Sequence, residues 1–330
     1  MLSFFRKSDA GGAVPTASPT PAPTAKVVTA AALIDPVYQK IFDRHALWLE
    51  TKRGPGRADF SKASLTGIRW TGVVLREAWF KSCSCVEGVL SEADLAGADF
   101  SLAVMPGLVL TGADLTGADL SNARFERAWF ERANLGEIRA NETNFTTACF
   151  EQARLPEANL QTCKMGELRG AKAQFQHAKL FSCDLSRANF SEAVFYKARL
   201  QMCKLIGTVM TEANLAQASF LDCQLSQADL TGARLQGADL SRSHFDRAFL
   251  DNCDLREAKL PGCDLTRASL QGARLGGVQW NGVDLRHANL RGARDLTPDQ
   301  LTQARTDSTT TLPNGTPGPF LRNSGAEKPK

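Results

Sequence analysis

Nine cysteines are the residues of this 330-residue chain best equipped for chemistry. Six of them, Cys83, Cys163, Cys183, Cys203, Cys223 and Cys263, fall on one ladder with a step of twenty or a multiple of it. If successive laps of chain stack, neighbouring members sit about 4.8 Å apart at Cα. That is within disulfide range, but parallel side chains keep the Cβ atoms too far apart for an unstrained bridge. A column of metal ions would need tetrahedral access to thiolates, which a flat ladder lacks. The expectation is therefore reduced thiols used as small apolar core residues, in a reducing, cytoplasmic setting. Cys83-Ser84-Cys85 brings one more thiol, Cys85, into a neighbouring core position.

Other chemistry is poorly provided for. His45 falls on a helix near the start, and His177, His244 and His287 fall at different points of the twenty-residue cycle, so the four histidines read as surface residues. No nucleophile elbow, glycine-rich phosphate loop or paired-cysteine zinc spacing occurs. Carboxylates are abundant but fall at outward positions, away from any cleft that would shift a pKa. The expectation is a non-enzyme with no cofactor and no bound metal.

The elements that place these residues follow from a period of five. From Phe60 through Leu65, Trp70, Leu75 and Phe80 to Leu285 and Leu290, nearly every fifth residue is large and apolar. Two residues before most of them stands a small residue, as in Ala113-Asp114-Leu115-Thr116-Gly117. Positions two apart point the same way in extended chain, and the polar remainder suits corners. A period of five is neither helical nor that of an ordinary strand, and a fixed repeat outranks local propensity. Where the small slot holds Ile138 or Leu168, the large slot shrinks to Ala140 or Gly170, the compensation a close-packed interior demands.

The unit resembles that of the pentapeptide-repeat family, A(D/N)LXX. Ala93-Asp94-Leu95, Ala133-Asn134-Leu135, Ala213-Asn214-Leu215 and Ala238-Asp239-Leu240 carry the likeness. It implies an all-β solenoid, a right-handed quadrilateral parallel β-helix with four units per coil and about twelve coils, on the order of 55 Å long. The organisation expected is a disordered Pro/Ala/Thr-rich tail (1–34), an N-terminal cap helix and loop (35–57), the β-helix (58–294), a short helical C-terminal cap (295–313) and a loose tail (314–330). Asp35-Pro36 forms an N-cap and first turn, and Val37, Ile41, Leu47 and Trp48 have helical spacing, with Trp48 expected to cover the first coil. A partner-binding helix is the alternative. Thr297-Pro298 is expected to start the C-terminal helix.

Net charge is +4 overall, yet acidic and basic residues nearly balance between Asp59 and Asp295. Neither a phosphate-tracking basic stripe nor a strongly acidic surface is evident, so there is no strong nucleic-acid signal. No stretch is long enough for a membrane helix; Phe4 and Phe5 beside Arg6 and Lys7 offer a membrane contact, with a frayed terminus as the plainer reading.

Outward apolar residues then carry the information. Val89, Val109, Trp129, Cys149, Val209 and Phe249 share one column, and Phe181, Met202 and Leu221 lie on adjoining outward or corner slots with Leu102. The expectation is a non-catalytic scaffold that binds a protein partner, or a second copy, through these residues. The resemblance implies an alternative, a DNA mimic that binds DNA gyrase as an inhibitor or as a quinolone-protection protein, which the balanced charge does not favour. The other alternative is a rod tethered to a membrane by Met1–Lys7.

Overall fold

A computed structural model describes residues 35–54 and 56–319; the expectations for 1–34, including the Met1–Lys7 membrane contact, lie outside the described residues. The chain from Asp59 winds as a parallel β-solenoid in which residue i pairs with residue i+20, from Asp59 with Trp79 to Arg274 with Arg294. Each lap has four sides of five residues. The large slots are buried from Phe60 to Leu290 and the small slots from Ala78 onward, and the residue between them faces out except at Cys149.

Backbone polarity is satisfied lap to lap. Phe60 N–H donates to the Trp79 carbonyl at 2.7 Å, Trp79 N–H donates to the Ala58 carbonyl at 3.0 Å, and Lys62 N–H donates to the Lys81 carbonyl at 2.9 Å. Similar triplets recur along the solenoid, so the buried backbone groups have partners. Corners close on themselves: Ala63 N–H donates to the Phe60 carbonyl at 3.0 Å while Lys62 takes φ 61°. A positive φ at the third residue is the mark of a type II turn.

Regular strands occur on one side only. β1 (Arg139–Asn141), β2 (Asn159–Gln161), β3 (Lys179–Phe181), β4 (Arg199–Gln201) and β5 (Ser219–Leu221) form a five-stranded parallel sheet in sequence order. Continuous ladders over about twelve coils are therefore not what the chain builds; the sheet spans the four steps from β1 to β5, and isolated bridges continue the pairing on either side.

The cysteine ladder borders the corners of this side. At the corner after β5, Ser243 of the next lap inserts its hydroxyl. It accepts from Cys223 N–H at 2.9 Å and donates to the Phe220 carbonyl at 2.7 Å, the two groups a closed corner would have joined. The same carbonyl position accepts from Cys163 Sγ at Ala140 (2.9 Å), Cys183 Sγ at Leu160 (3.4 Å), Cys203 Sγ at Leu180 (3.4 Å) and Cys223 Sγ at Leu200 (3.5 Å). At these corners the closing bond is absent and the third residue of each side stays extended, whereas Cys263 Sγ donates to the Leu240 carbonyl at 2.9 Å at a corner that stays closed, with Ser243 N–H on the same carbonyl at 3.2 Å. The nine thiols are buried core residues, as expected, and several of them also donate to backbone carbonyls.

Inside, large residues stack in columns. Phe80 lies on Phe100 at 4.6 Å, Phe130 on Phe150 at 4.7 Å and Phe175 on Phe195 at 4.7 Å between ring centroids, offset stacks that add to area burial. At Gly170 the column is interrupted: a Cβ there would meet Phe190 Cε1 at 2.6 Å and Leu168 Cδ2 at 3.0 Å. Leu168 has taken the space.

Both ends are covered by helices. α1 (Pro36–Thr51) starts on Asp35, whose Oδ1 accepts from Val37 N–H at 2.8 Å. The expected lid residue is not the one used. Tyr38 and Phe42 cover the first coil, at 4.9 and 5.0 Å from the Trp70 ring, while Val37 and Leu47 are exposed. Trp48 instead stacks on His45 at 5.6 Å, with the Lys52 ammonium 4.5 Å and the Arg57 guanidinium 5.4 Å from its ring. His45, expected at the surface, is fully buried, and its Nδ1 accepts from Ala58 N–H at 3.0 Å. One helical turn toward the solenoid thus fixes the first residue of the core.

At the other end α2 (Pro298–Thr302) carries a capping box between Thr297 and Gln300. Gln300 Nε2 also donates to the Leu275 and Val278 carbonyls at 3.2 and 3.0 Å, binding the cap to the last coils. The chain then pairs Arg305 with Asp284 and Thr311 with Asn289. Residues 314–319, expected in the loose tail, fold back instead: Thr311 pairs antiparallel with Pro317, and Gly318 N–H donates to the Thr310 carbonyl at 2.6 Å.

Candidate interaction surfaces

The outward residues that sequence spacing groups together fall into three places. Val89, Val109 and Trp129 are consecutive partners in one lap-to-lap ladder, followed by Cys149 and Arg169. Because each is about 4.8 Å from the next, the valines and the indole form one apolar ridge on a flat wall. All three are half-buried by one another and by their neighbours.

Trp129 is held in place. The Arg169 guanidinium lies 4.8 Å from its ring centroid, reaching across the intervening Cys149, a cation–π contact. Cys149, expected on the outward column, is buried at 2 % exposure beneath that pair. Burial holds its thiol above the usual range, as it does at Cys83, pushed up to about 12, and at Cys85, pushed up to about 11. Hydrogen-bonded neighbouring thiols, Cys163 foremost, raise Cys183 further. Cys149, Cys83 and Cys85 thus stay protonated, and protonated thiols are poor nucleophiles.

Val209 and Phe249 share the wall but not the ridge. Arg169 and Asn189 separate Val209 from Trp129 and Cys149, and Asp229 separates Phe249 from Val209. Phe249 is exposed and isolated. The third group is nearer to a cluster: Phe181 ends β3, Leu221 ends β5 and Met202 follows β4, all at one corner. Phe181 and Met202 are exposed, and Leu221 is half-buried. Leu102 and Trp79 stand apart from both groups, the latter beneath the Arg57 guanidinium at 4.4 Å.

Several wall charges are paired, either across laps or within one. Arg139 donates to Asp119 at 3.2 Å, Arg242 donates to both Asp222 oxygens at 2.7 and 2.8 Å, and Arg256 forks onto Asp254 at 2.8 and 2.6 Å. Exposed pairs of this kind add little stability, but they neutralise the surface locally. Asp222 and Asp254 are held below the usual carboxylate range, chiefly by the hydrogen bonds from Arg242 and Arg256. Among the described residues no group of three or more histidines, cysteines and carboxylates could hold a metal ion, and no helix is long and apolar enough to cross a membrane.

A four-sided parallel solenoid, capped at both ends and presenting flat walls, defines a repeat protein. The family models agree in detail: pentapeptide repeats match residues 88–127, 123–161, 233–272 and 263–294, and a pentapeptide repeat region matches 173–250. The chain belongs to the pentapeptide-repeat family. Among solved structures it is similar to HetL, described as a pentapeptide repeat protein involved in heterocyst differentiation regulation, from the cyanobacterium Nostoc (25% identity, 83% of this chain and 97% of that one, TM-score 0.26). It is also similar to a trypsin-treated variant of QnrB1, a plasmid-mediated fluoroquinolone resistance protein (15% identity, 71% and 84%, TM-score 0.27). A third is a pentapeptide repeat protein of the Arabidopsis thaliana thylakoid lumen (24% identity, 36% and 83%, TM-score 0.20). No curated protein matches the chain.

Proposed function

We propose that this chain is a non-catalytic scaffold that binds a protein partner through the walls of its solenoid. The observation that carries the reading is the Val89–Val109–Trp129 ridge, three consecutive apolar residues in one lap-to-lap ladder whose later members include Arg169, Asn189 and Asp229. An aromatic side chain fixed by a neighbouring cation, on a rigid face, has the features of an interface anchor. A reducing, cytoplasmic compartment is part of the proposal, because oxidation would remove the thiol donors at the corners.

Duplex mimicry would need carboxylates to dominate a wall, whereas Asp119, Asp222 and Asp254 each face an arginine. The test is affinity capture from the native cell with the full chain and with Val109→Asp/Trp129→Asp. Loss of a captured protein on that double substitution supports the reading. Identical capture by both forms removes this wall from it. A supercoiling assay with purified gyrase decides the mimic reading separately.

A further inference from the structure

Among the described residues one open cavity of about 640 Å³ stands out, and it lies on the wall opposite the tryptophan ridge. Glu157, His177, Lys179, Lys197, Arg199, Gln217 and Ser219 line it with the Ala198 backbone. Lys179 and Arg199 are direct partners in the β3–β4 ladder. Like charges placed so on neighbouring strands oppose each other. Earlier in this same column Arg139 instead meets a carboxylate one lap away, Asp119 at 3.2 Å. Here the column reads Asn159, Lys179, Arg199, Ser219, and none of the ion pairs of the described residues involves Lys179, Lys197 or Arg199. The carboxylates nearest in the ladders, Glu157 before His177 and Asp239 after Ser219, bound the patch rather than neutralise it.

Both flanks of the groove are structured. On one, the Tyr196 ring sits between His177 (6.1 Å) and the Lys197 ammonium (5.1 Å), and its hydroxyl reaches Gln217 at 3.4 Å. On the other are Phe181, Met202 and Leu221. We propose that this groove binds an acidic segment of a partner protein, with carboxylates on Lys179, Lys197 and Arg199 and apolar side chains against Phe181 and Met202. The inference rests on the scaffold reading and adds a second surface to it. Charge complementarity chooses the sign of the occupant. The apolar flank and the shortness of the cationic patch, about two laps, favour a peptide over a nucleic acid, which needs a longer stripe of cations.

Fluorescence anisotropy with the full chain tests this, using a labelled peptide of alternating Glu and Leu, its Gln-for-Glu analogue, and a single-stranded oligonucleotide of similar length. The acidic peptide is expected to bind, to weaken at least about tenfold with Lys179→Glu/Arg199→Glu, and to weaken as salt rises. Lys179→Gln/Arg199→Gln, which keeps the side-chain stems, is expected to give an intermediate loss. The Val109→Asp/Trp129→Asp chain is expected to bind it unchanged. Equal binding of the Gln analogue, tighter binding of the oligonucleotide, or no effect of the charge-reversal pair would overturn the proposal. The scaffold reading would then still stand or fall on capture through the tryptophan wall.

Discussion

Leu168 and Gly170 exchange the usual sizes of the small and large slots, and this exchange can be reversed experimentally. Leu168→Ala alone empties a fully buried site and should cost about 2–5 kcal/mol. Gly170→Leu alone drives a side chain into Phe190, which a bare Cβ already approaches to 2.6 Å. Overpacking of that degree costs about 1–3 kcal/mol, occasionally more. Gly170 does not occupy the left-handed region, so no backbone strain confuses the result. The double variant restores the small-then-large order that the other coils use, and it should recover most of both losses. The expected coupling is about 3 kcal/mol, the upper range for residues in contact. Urea denaturation of the four proteins measures it, as shifts in midpoint at constant slope. If the double variant is as unstable as the sum of the singles, volume exchange is not the reason for the paired departure, and the packing argument fails with it.

Other outcomes follow from the corners, the cap and the walls. Cys203→Ser should be nearly neutral in chemical denaturation, since Ser243 performs the same insertion two laps on; Cys203→Ala leaves the Leu180 carbonyl without its Sγ donor and should cost about 1–3 kcal/mol unless the corner closes. Closure would show as altered amide exchange at Cys183. His45 is held below its ordinary pKa, first by burial, so the folded state prefers the neutral ring. Its contribution to stability is present above about pH 6.5 and is lost as pH falls through the lower folded value. Amide exchange at Ala58 should therefore quicken in mild acid, and His45→Gln should flatten that dependence. Alkylation at pH 8 should leave the nine buried thiols unmodified in the native protein and label them all in denaturant. A native chain that labels readily at Cys149 would mean the Trp129–Arg169 cover opens.

The winding was legible because it depends on composition alone: small, polar, large, polar, polar needs no distant information. The thiol column was legible for the same reason, since a twenty-residue step places its members on one wall. What the thiols do there was not. Donation from Sγ to a carbonyl of the lap before is announced by no residue type; the one clue was that Thr143 and Ser243 occupy the same column as the cysteines. The lid was misread because Trp48 shares a helical stripe with Val37 and Ile41, whereas Tyr38, Phe42 and His45, on the neighbouring stripe, are the residues that face the first coil. The separation of Val209 and Phe249 from the ridge could have been read by writing out the whole column, where Arg169, Asn189 and Asp229 intervene. The same exercise finds Lys179 above Arg199; apolar residues were sought on the surface and unpaired cations were not.

Opposition of the two surfaces is a matter of phase. Trp129 and Lys179 are fifty residues apart, two and a half turns, and that odd half is what sets them back to back. Excising twenty residues between them would shorten the spacing by one storey and keep them opposed. Excising ten would swing the groove onto the same side as the indole, so that one bound molecule could touch both. Natural gain or loss of pentads in this interval would thus reassort which ligands can meet, without altering a single contact residue.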